Sequence, residues 1–300
     1  MMNRISDILT YATLAFLVVF FLREGIRYVA YDIQGVVLEV VKPAELATKT
    51  DGKSLKFLTY NVLVTPVALD RRMAPLFRIL RDSDADVMAL QEVGANGEWF
   101  MAQLEKEDWA KKYYRVGANP GECGGQFILS KLPAEAAICY GLPGKQRRTV
   151  LIATLLTAAG PFKLATTHME SPPRKDKVVR ASQLDKIFEK LGRDGDAALL
   201  GDVNFGDGEP EGARLDPAYT DIWRKLRPKE HGFTWDNEKS GLADSTRFPG
   251  EPSRRLDRVL VRSKTWKAGS IKIIGDKPTD AGKNDMFPSD HFGLSGTLTR

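Results

Sequence analysis

The amino-acid sequence predicts an α/β fold with mixed β-sheets. Short apolar runs bounded by polar residues recur from about residue 55 onward, and segments with helical spacing of apolar positions separate some of them. Other consecutive runs have no helix between them. We therefore expect both parallel and antiparallel strand neighbours.

The predicted elements follow one another through a single folded unit with no internal repeat. The predicted strands cover residues 56–64, 86–93, 126–130, 150–156, 162–167, 197–204, 256–262, 271–274 and 292–299. The predicted helices cover residues 70–81 and 174–191, and a less regular pattern predicts a third over residues 97–106. Residues 51–300 are thus predicted to be one domain.

The composition is that of a globular protein and not of a disordered chain. The 300 residues are 43% hydrophobic and 28% charged, with a formal net charge of +5. That charge fits a polyanionic partner such as nucleic acid or an acidic membrane surface, although many soluble proteins share it.

Cys123 and Cys139 match neither a disulfide framework nor a metal motif, so we interpret them as two ordinary small residues.

Residues 1–50 are predicted to be an N-terminal hydrophobic anchor helix and a linker. Residues 8–22 are uncharged and mostly apolar, which is fifteen residues where a membrane span needs about twenty. A cleaved signal peptide is one alternative, but no small-x-small cleavage site follows; a helix packed on the domain is another. We expect a membrane-associated protein with a single N-terminal anchor, whose side of the membrane the Lys/Arg distribution does not determine.

Asp290 and His291 are adjacent residues just before the last predicted strand. The chain has three histidines, and a neighbouring carboxylate is the kind of group that fixes the tautomer and charge of an imidazole. Neighbouring residues in an extended segment point apart, so we expect the partner of His291 to come from elsewhere in the sequence.

Several other predicted strands end in polar residues. Asn61, Glu92, His168 and Asp202 each stand at the end of an apolar run. Ligands bind beyond strand ends in α/β sheets, so these side chains are predicted to converge on one site. Each is a weak signal alone, because a single polar residue at a strand end is most often a turn residue or a cap.

Together and in this order, the strand-end residues resemble the motifs of the endonuclease/exonuclease/phosphatase superfamily. The matching segments are Thr59-Tyr60-Asn61, Leu90-Gln91-Glu92-Val93, Thr167-His168-Met169-Glu170-Ser171, Gly201-Asp202-Val203-Asn204, Arg255-Leu256-Asp257-Arg258 and Ser289-Asp290-His291. The segments at His168 and His291, with Phe233-Thr234-Trp235-Asp236, resemble the tyrosyl-DNA phosphodiesterase branch, which acts on 5′-phosphotyrosyl ends. The resemblance spans about residues 55–299 and implies a four-layer α/β sandwich of two packed mixed β-sheets flanked by helices.

The resemblance also implies a divalent metal, Mg²⁺ with Mn²⁺ as a substitute. Magnesium prefers oxygen ligands and is typically held by one or two carboxylates. The predicted metal ligands are Glu92 first, Asp290 as a second or water-mediated contact, and Asn61 as a neutral oxygen beside them.

The remaining site residues have roles in phosphoryl chemistry by the same resemblance. Asp202 is expected to deprotonate the attacking water, and Asn204, two residues on, to hold that water or a phosphoryl oxygen. His291 is expected to donate to a phosphoryl oxygen as an imidazolium held by Asp257, and His168 to act as a second cationic donor. An ion pair with a neighbouring arginine is the alternative for Asp257.

Two residues are predicted to contact the substrate. Ser171 supplies a hydroxyl, and the ring of Trp235 lines the cleft where a nucleobase or an aromatic leaving group stacks. A core tryptophan is the alternative for Trp235. Glu170 would repel a phosphate and is expected to orient His168 or a backbone amide instead.

The sequence therefore predicts a magnesium-dependent phosphodiesterase whose partner is nucleic acid, cleaving a 5′-phosphotyrosyl-type adduct at its end or acting as a nuclease. Basic clusters within residues 145–148, 174–180 and 254–267 either follow a phosphate backbone or are solvated surfaces. A membrane-anchored phosphatase or lipid phosphodiesterase of the same superfamily is the alternative. A second alternative is a catalytically inactive membrane-tethered binding protein. No obligate protein partner is inferred.

Overall fold

The computed structural model describes residues 35–45, 52–94, 96–117, 119–171, 176–279 and 286–300. The predicted hydrophobic helix at residues 8–22 lies outside these ranges. Within them, the structure contains no helix that combines the length and the apolar character of a membrane span.

The described residues form strands, α-helices and short 3-10 turns. The strands are β1 (Val36–Val37), β2 (Val40–Val41), β3 (Ser54–Asn61), β4 (Val87–Gln91), β5 (Tyr114–Val116), β6 (Phe127–Ser130), β7 (Ala134–Gly141), β8 (Thr149–Thr157), β9 (Gly160–His168), β10 (Asp196–Asp202), β11 (Thr220–Asp221), β12 (Asp257–Arg262), β13 (Lys267–Ile274) and β14 (Gly293–Thr299). The α-helices are α1 (Leu69–Ser83), α2 (Gly97–Leu104), α3 (Lys177–Leu191), α4 (Ile222–Leu226) and α5 (Gly241–Thr246).

The strands form two mixed sheets, as predicted. Sheet 1 has the order β1-β7-β8-β9-β10-β12-β11, and sheet 2 has the order β13-β14-β3-β4-β6-β5-β2. Within each sheet one central pair is parallel, β9 with β10 and β3 with β4. The crossover within each parallel pair contains a helix, α3 or α1, as a parallel connection requires.

Side-chain alternation along the central strands produces the layers. Leu55 and Phe57 of β3 point into an apolar core shared with Leu200 and Val259 of sheet 1. The opposite face of β3 and β4, which points away from the other sheet, packs against apolar residues of α1 and α2. The outer face of sheet 1 packs against α3. This arrangement is the predicted sandwich of two packed sheets flanked by helices.

The chain before the predicted domain boundary at residue 51 also contributes to the sandwich. β1 pairs with β7 and forms an edge of sheet 1, and β2 pairs with β5 and forms an edge of sheet 2. Residues assigned from sequence to the anchor and linker therefore close one edge of each sheet. β7 was itself absent from the predicted strands.

Our interpretation of the two cysteines as ordinary small residues is wrong. Cys123 and Cys139 form a disulfide, and both side chains are fully buried. Cys123 ends a 3-10 turn (Pro120–Cys123) before β6 of sheet 2, and Cys139 lies in β7 of sheet 1. The bond therefore joins the two sheets, and no spacing rule for a pair of cysteines would have indicated it.

Candidate active site

Strand register brings the predicted residues together at one end of the sandwich. Asp202, the last residue of β10, pairs with His168 at the end of parallel β9 and with Asp257 at the start of antiparallel β12. Asn61 pairs with Gln91 at the matching end of β3 and β4, and Glu92 follows directly. The site thus lies where the parallel pairs of both sheets end.

Asp202 is at the centre of the site and is fully buried. The backbone N–H of Asn204 donates to its Oδ1 at 2.9 Å, and Asn61 Nδ2 donates to its Oδ2 at 3.1 Å. His168 Nε2 and His291 Nε2 lie 3.4 and 3.6 Å from the same Oδ2. Burial raises the pKa of Asp202 to about 7, against the opposing influence of the nearby His291 charge.

The predicted pairing of His291 with Asp257 is present. His291 Nδ1 lies 2.8 Å from Asp257 Oδ2, and both side chains are buried. Burial by itself lowers the pKa of His291, but the charges of Asp257 and Asp202 outweigh it and hold the pKa well above its usual value. His291 is therefore an imidazolium whose Nε2–H faces the space beside Asp202.

His168 does not provide the second positive charge that was predicted. Arg148 Nη1 lies 2.9 Å from His168 Nδ1, and a guanidinium can only donate, so Nδ1 accepts and the ring proton is on Nε2. Burial, with the charges of Arg148 and His291, holds the pKa of His168 well below its usual value. The second cation at the site is Arg148, which the sequence analysis treated only as part of a basic cluster.

Gln146 and Glu170 fix the loop that carries Arg148. Gln146 Oε1 accepts from Arg148 Nε and Nη2 at 3.1 and 3.0 Å and from the backbone N–H of Ser171 at 2.8 Å. The carboxylate of Glu170 accepts from the backbone N–H groups of Lys145 and Gln146, so it orients backbone amides, one of its two predicted roles. Ser171 Oγ accepts from Gln146 Nε2 at 2.9 Å at the rim of the site.

The predicted metal ligands divide into two groups. Glu92 turns its partly exposed carboxylate into the cleft, and burial together with the Asp290 charge raises its pKa. Asp290 is held by Thr246 Oγ1 at 3.0 Å and Ser289 Oγ at 3.3 Å. Asn61, in contrast, places its amide nitrogen 2.9 Å from Glu92 Oε1, and its oxygen accepts from Leu63 N at 3.3 Å, so its nitrogen and not its oxygen faces the neighbouring ligand.

A second set of possible metal ligands consists of Asp202, Asp257 and His291. One ligand atom from each lies within 4.8 Å of the others. However, a metal ligand must be deprotonated, and His291 Nδ1 is engaged with Asp257 while its pKa is raised. The donor chemistry therefore favours the pair Glu92 and Asp290 for a hard cation.

Two further predictions change in the folded chain. Asn204 has a left-handed backbone (φ 55°), and its Nδ2 donates to Met169 O at 2.9 Å, so its place beside Asp202 comes from a turn and not from strand alternation.

Trp235 is only 4% exposed and packs with Ala243 and Leu256. This burial agrees with the alternative of a core tryptophan.

Several arginines of the predicted basic clusters are paired with carboxylates inside the protein. Arg254 pairs with Glu209 and Glu251, and Arg255 and Arg258 pair with acidic residues of neighbouring loops. Arg180 is fully buried against Glu211. Arg174 and Lys175 lie outside the described residues. Among the described side chains of these clusters, Arg148 is the one that lies beside His168 and close to the carboxylates around Asp202.

Arg72 holds two loops of the site in place, a role that the sequence analysis did not predict. Its buried guanidinium donates to the backbone oxygens of Leu63, at 2.7 Å, and Pro288, at 2.9 Å. These oxygens belong to the loops that carry Asn61 and Asp290. The sequence gives no signal for this role, because Arg72 is an ordinary arginine within an amphipathic helix.

The comparisons with known proteins agree with this geometry. The Endonuclease/Exonuclease/phosphatase family model matches residues 58–291. No curated protein sequence matches the chain.

Solved structures share the fold at low sequence identity. TDP2, a tyrosyl-DNA phosphodiesterase, from Caenorhabditis elegans is 22% identical with a TM-score of 0.69, covering 82% of this chain and 75% of that one. D. rerio TDP2 complexed with single strand DNA product is 23% identical (TM-score 0.67; 82% and 99% covered). Sphingomyelinase C from Streptomyces griseocarneus is 19% identical (TM-score 0.61; 82% and 99% covered). With the family match over most of its length, the chain belongs to the endonuclease/exonuclease/phosphatase family and is a phosphoric ester hydrolase.

Proposed function

We propose that this protein is a divalent-metal-dependent phosphodiesterase, with Asp202 as general base and His291 as the cationic donor to the phosphoryl group. The observation that carries this proposal is the convergence of three side-chain nitrogens, from Asn61, His168 and His291, around Asp202 Oδ2 at 3.1 to 3.6 Å. A phosphoryl oxygen accepts hydrogen bonds from the same kind of donors that surround this carboxylate oxygen.

The charge balance of the site supports a divalent cation. Among the described residues, four carboxylates meet here, from Glu92, Asp202, Asp257 and Asp290, and the cations beside them are His291 and Arg148. Burial first, and then the charges of neighbouring carboxylates, raise the pKa of Glu92 and of Asp202, and a bound divalent cation would offset the negative charge of these groups. Glu92 and Asp290 would hold the ion, Mg²⁺ or Mn²⁺, which when bound polarises the phosphoryl group and neutralises charge on it.

Asp202 has the position and the proton affinity of a general base. In hydrolysis, the water oxygen forms a bond to phosphorus, the bond from phosphorus to the leaving oxygen breaks, and a water proton passes to Asp202 Oδ2. The hydrogen bonds from Asn204 N and Asn61 Nδ2 fix the orientation of the carboxylate. A pKa of about 7 lies close to neutral pH, where a base works best.

His291 and His168 supply the donors that favour the transition state, and Arg148 fixes the proton position of His168. His291 donates from Nε2 while Asp257 holds its other nitrogen. His168 donates from Nε2 as a neutral imidazole, because Arg148 occupies its Nδ1. These donors are already oriented, so they require no reorganisation when negative charge develops on the phosphoryl oxygens.

A nucleic-acid end is our first candidate substrate. TDP2 neighbours at 22–23% identity, one of them complexed with single strand DNA product, support this choice. Trp235 is buried and offers little ring surface for stacking, and the internal pairing of Arg254, Arg255 and Arg258 withdraws these residues from the predicted backbone contacts. Any nucleic acid would therefore be held mainly at its terminal phosphate, as expected for an enzyme that acts on ends.

A membrane phospholipid is the second candidate substrate. The observation that favours it is the short distance between the site and Gly35, where the described chain enters sheet 1. Gly35 packs against the Tyr140 ring, Tyr140 pairs with Val150, and Val150 pairs with Thr167, which precedes His168. Three strand spacings of about 4.8 Å place this entry point roughly 15 Å from His168. Twelve residues separate Gly35 from residue 22, and they reach at most about 40 Å. An anchor at residues 8–22 would thus keep the site near a bilayer.

We also propose that the domain is on the oxidising side of a membrane. The buried Cys123–Cys139 disulfide supports this, since such bonds persist in exported proteins and are rare in a reducing cytosol. Residues 8–22 provide the hydrophobic segment for membrane attachment. Carbonate extraction of membranes tests the anchor, and reactivity of a fusion reporter with an impermeant reagent tests the side. Release by carbonate, or a cytosolic reporter, would contradict this localisation.

The activity is tested with purified full-length protein, Mg²⁺, and four substrates: a 5′-phosphotyrosyl oligonucleotide, an abasic duplex, a phosphoinositide and sphingomyelin. We expect cleavage that chelation abolishes and that Asp202→Asn lowers by about a hundredfold or more. Preference for a lipid would favour the second candidate. Cleavage that survives chelation, or full activity in Asp202→Asn, would contradict the mechanism. No cleavage of any substrate by protein that binds the metal would favour the inactive binding protein.

A further inference from the structure

We infer that the Cys123–Cys139 disulfide is a positioning device for the metal-binding carboxylate of Glu92. The inference rests on the proposed role of Glu92 as a metal ligand. It adds that metal affinity, and not only stability, depends on the bond between the sheets.

Glu92 has a backbone conformation that needs external support. Its φ of 60° lies in the left-handed region, which is unfavourable for a side chain with a Cβ. Strained conformations persist at functional sites only where the surrounding structure over-determines them. A change of this φ angle would turn the Cα–Cβ bond and so redirect the carboxylate.

Hydrogen bonds on both sides hold the backbone around Glu92. On one side, Val64 N donates to Glu92 O at 3.1 Å. On the other, Val93 N donates to Gly125 O at 3.0 Å. A Cβ added to Gly125 would lie 3.0 Å from Gly94 N and 3.2 Å from Gly94 Cα, so this glycine allows a close backbone approach just beyond Glu92.

The support from Gly125 is itself fixed by Cys123. Gln126 N donates to Cys123 O at 3.0 Å, closing the turn that contains Gly125, and Thr149 Oγ1 donates to the same oxygen at 2.9 Å. The disulfide then ties Cys123 to Cys139 in β7 of the opposite sheet. A continuous path of covalent and hydrogen bonds thus runs from sheet 1 to the backbone that orients Glu92.

The same path reaches the other side of the site. Thr149 follows Arg148, whose guanidinium contacts His168. The hydrogen bond from Thr149 therefore links the turn behind the metal ligand to β8, the strand that begins beside the second cation, and the disulfide links the same turn to the neighbouring strand β7. A reduced protein would lack the covalent part of this connection.

The test compares Mn²⁺ binding, measured by calorimetry, in the full-length protein and in Cys123→Ala/Cys139→Ala. We expect the double variant to bind Mn²⁺ about tenfold more weakly, in the range typical for loss of residues that orient metal ligands. Leu155→Ala is the matched control. It opens a cavity in the same core between the sheets, but Leu155 pairs with Phe162 at the opposite end of β8 and β9, so it should lower the thermal midpoint without changing Mn²⁺ affinity.

Two further variants test the path if the double cysteine variant fails to fold. Thr149→Val removes one hydrogen bond to Cys123 O while keeping the shape, and Gly125→Ala disturbs the approach to Gly94. Both should weaken Mn²⁺ binding in the same direction. Unchanged affinity in folded variants would overturn the inference while leaving the proposed function intact. Absence of Mn²⁺ binding to the unaltered protein would overturn both.

Discussion

Two clusters of acidic and basic side chains, one around Asp202 and one around Asp207 and Asp221, differ in how their charges are balanced. The catalytic cluster, around Asp202, has more carboxylates than cations. The second cluster joins Asp207 and Asp221 to Arg255, Arg258 and Arg224, with contacts of 2.6 to 3.2 Å from Arg255 and Arg258. There every carboxylate faces at least two guanidinium groups.

The pKa shifts of the two clusters have opposite signs. Burial raises the pKa of both Asp202 and Asp207, but hydrogen bonds from Arg255 and Arg224 outweigh it at Asp207, whose pKa falls below its usual value. At Asp202 no such partner intervenes, and the pKa stays near 7. The same residue type is thus a fixed anion in one cluster and an exchangeable proton acceptor in the other. Incomplete neutralisation is what distinguishes the catalytic site.

The largest expected effect is that of Asp202→Asn. The amide cannot accept the water proton, so kcat should fall by about a hundredfold or more. At pH 8 the unaltered, metal-free protein carries the penalty of a buried charge, since its Asp202 pKa is about 7. The variant should therefore be at least as stable as the parent in thermal unfolding. A large loss of stability would mean that Asp202 is structural, like Asp207.

Glu92→Gln should weaken metal binding more than His291→Gln. Removal of a direct ligand should lower Mn²⁺ affinity by at least about tenfold, a loss that even supporting residues produce. His291 is protonated and paired with Asp257, so its replacement should lower kcat with a small change in affinity. Titration of Mn²⁺ into both variants measures this. The reverse order would place the ion among Asp202, Asp257 and His291.

Asp257→Asn should move the alkaline limb of the pH profile to lower pH. Activity requires protonated His291, and the Asp257 charge raises the His291 pKa. Without that charge the imidazolium loses its proton at lower pH, so the limb should move down by about one unit or more. The acidic limb, set by Asp202, should move much less and slightly downward, since Asp257 also raises the Asp202 pKa. An unchanged alkaline limb would exclude His291 as the titrating acid.

Asp221→Asn should have the smallest effect on rate. Asparagine still caps α4, where Asp221 accepts from Arg224 N, but the change leaves Arg255 and Arg258 with one fewer anion. Breaking a buried pair of this kind costs about 3 kcal/mol of unfolding free energy. Denaturant unfolding should show this loss, while kcat of the folded protein stays within about twofold of the parent. A hundredfold loss of kcat would show that the two clusters are coupled.

The fold was predictable because its central strands and main helices carry regular apolar patterns. The predicted strands at residues 162–167 and 197–204 correspond to β9 and β10, and helix α1 extends the prediction by one or two residues at each end. β7 escaped prediction because its alanine-rich run is weakly apolar, and β1 and β2 because two-residue strands have no detectable period. Long-range pairing alone makes these segments strands.

The sequence by itself determined which residue types end the strands and in which order, and hence the family, the carboxylates and the Asp257–His291 pair. Tertiary structure decided what depends on distance between remote residues. Burial and the neighbouring Arg148 keep His168 neutral, two carboxylates orient Asn61, and Ala243 and Leu256 bury Trp235. The disulfide likewise exists because β7 of one sheet meets the turn before β6 of the other. Proton affinity, ligand direction and cysteine pairing are properties of an environment, and that environment comes from residues distant along the chain.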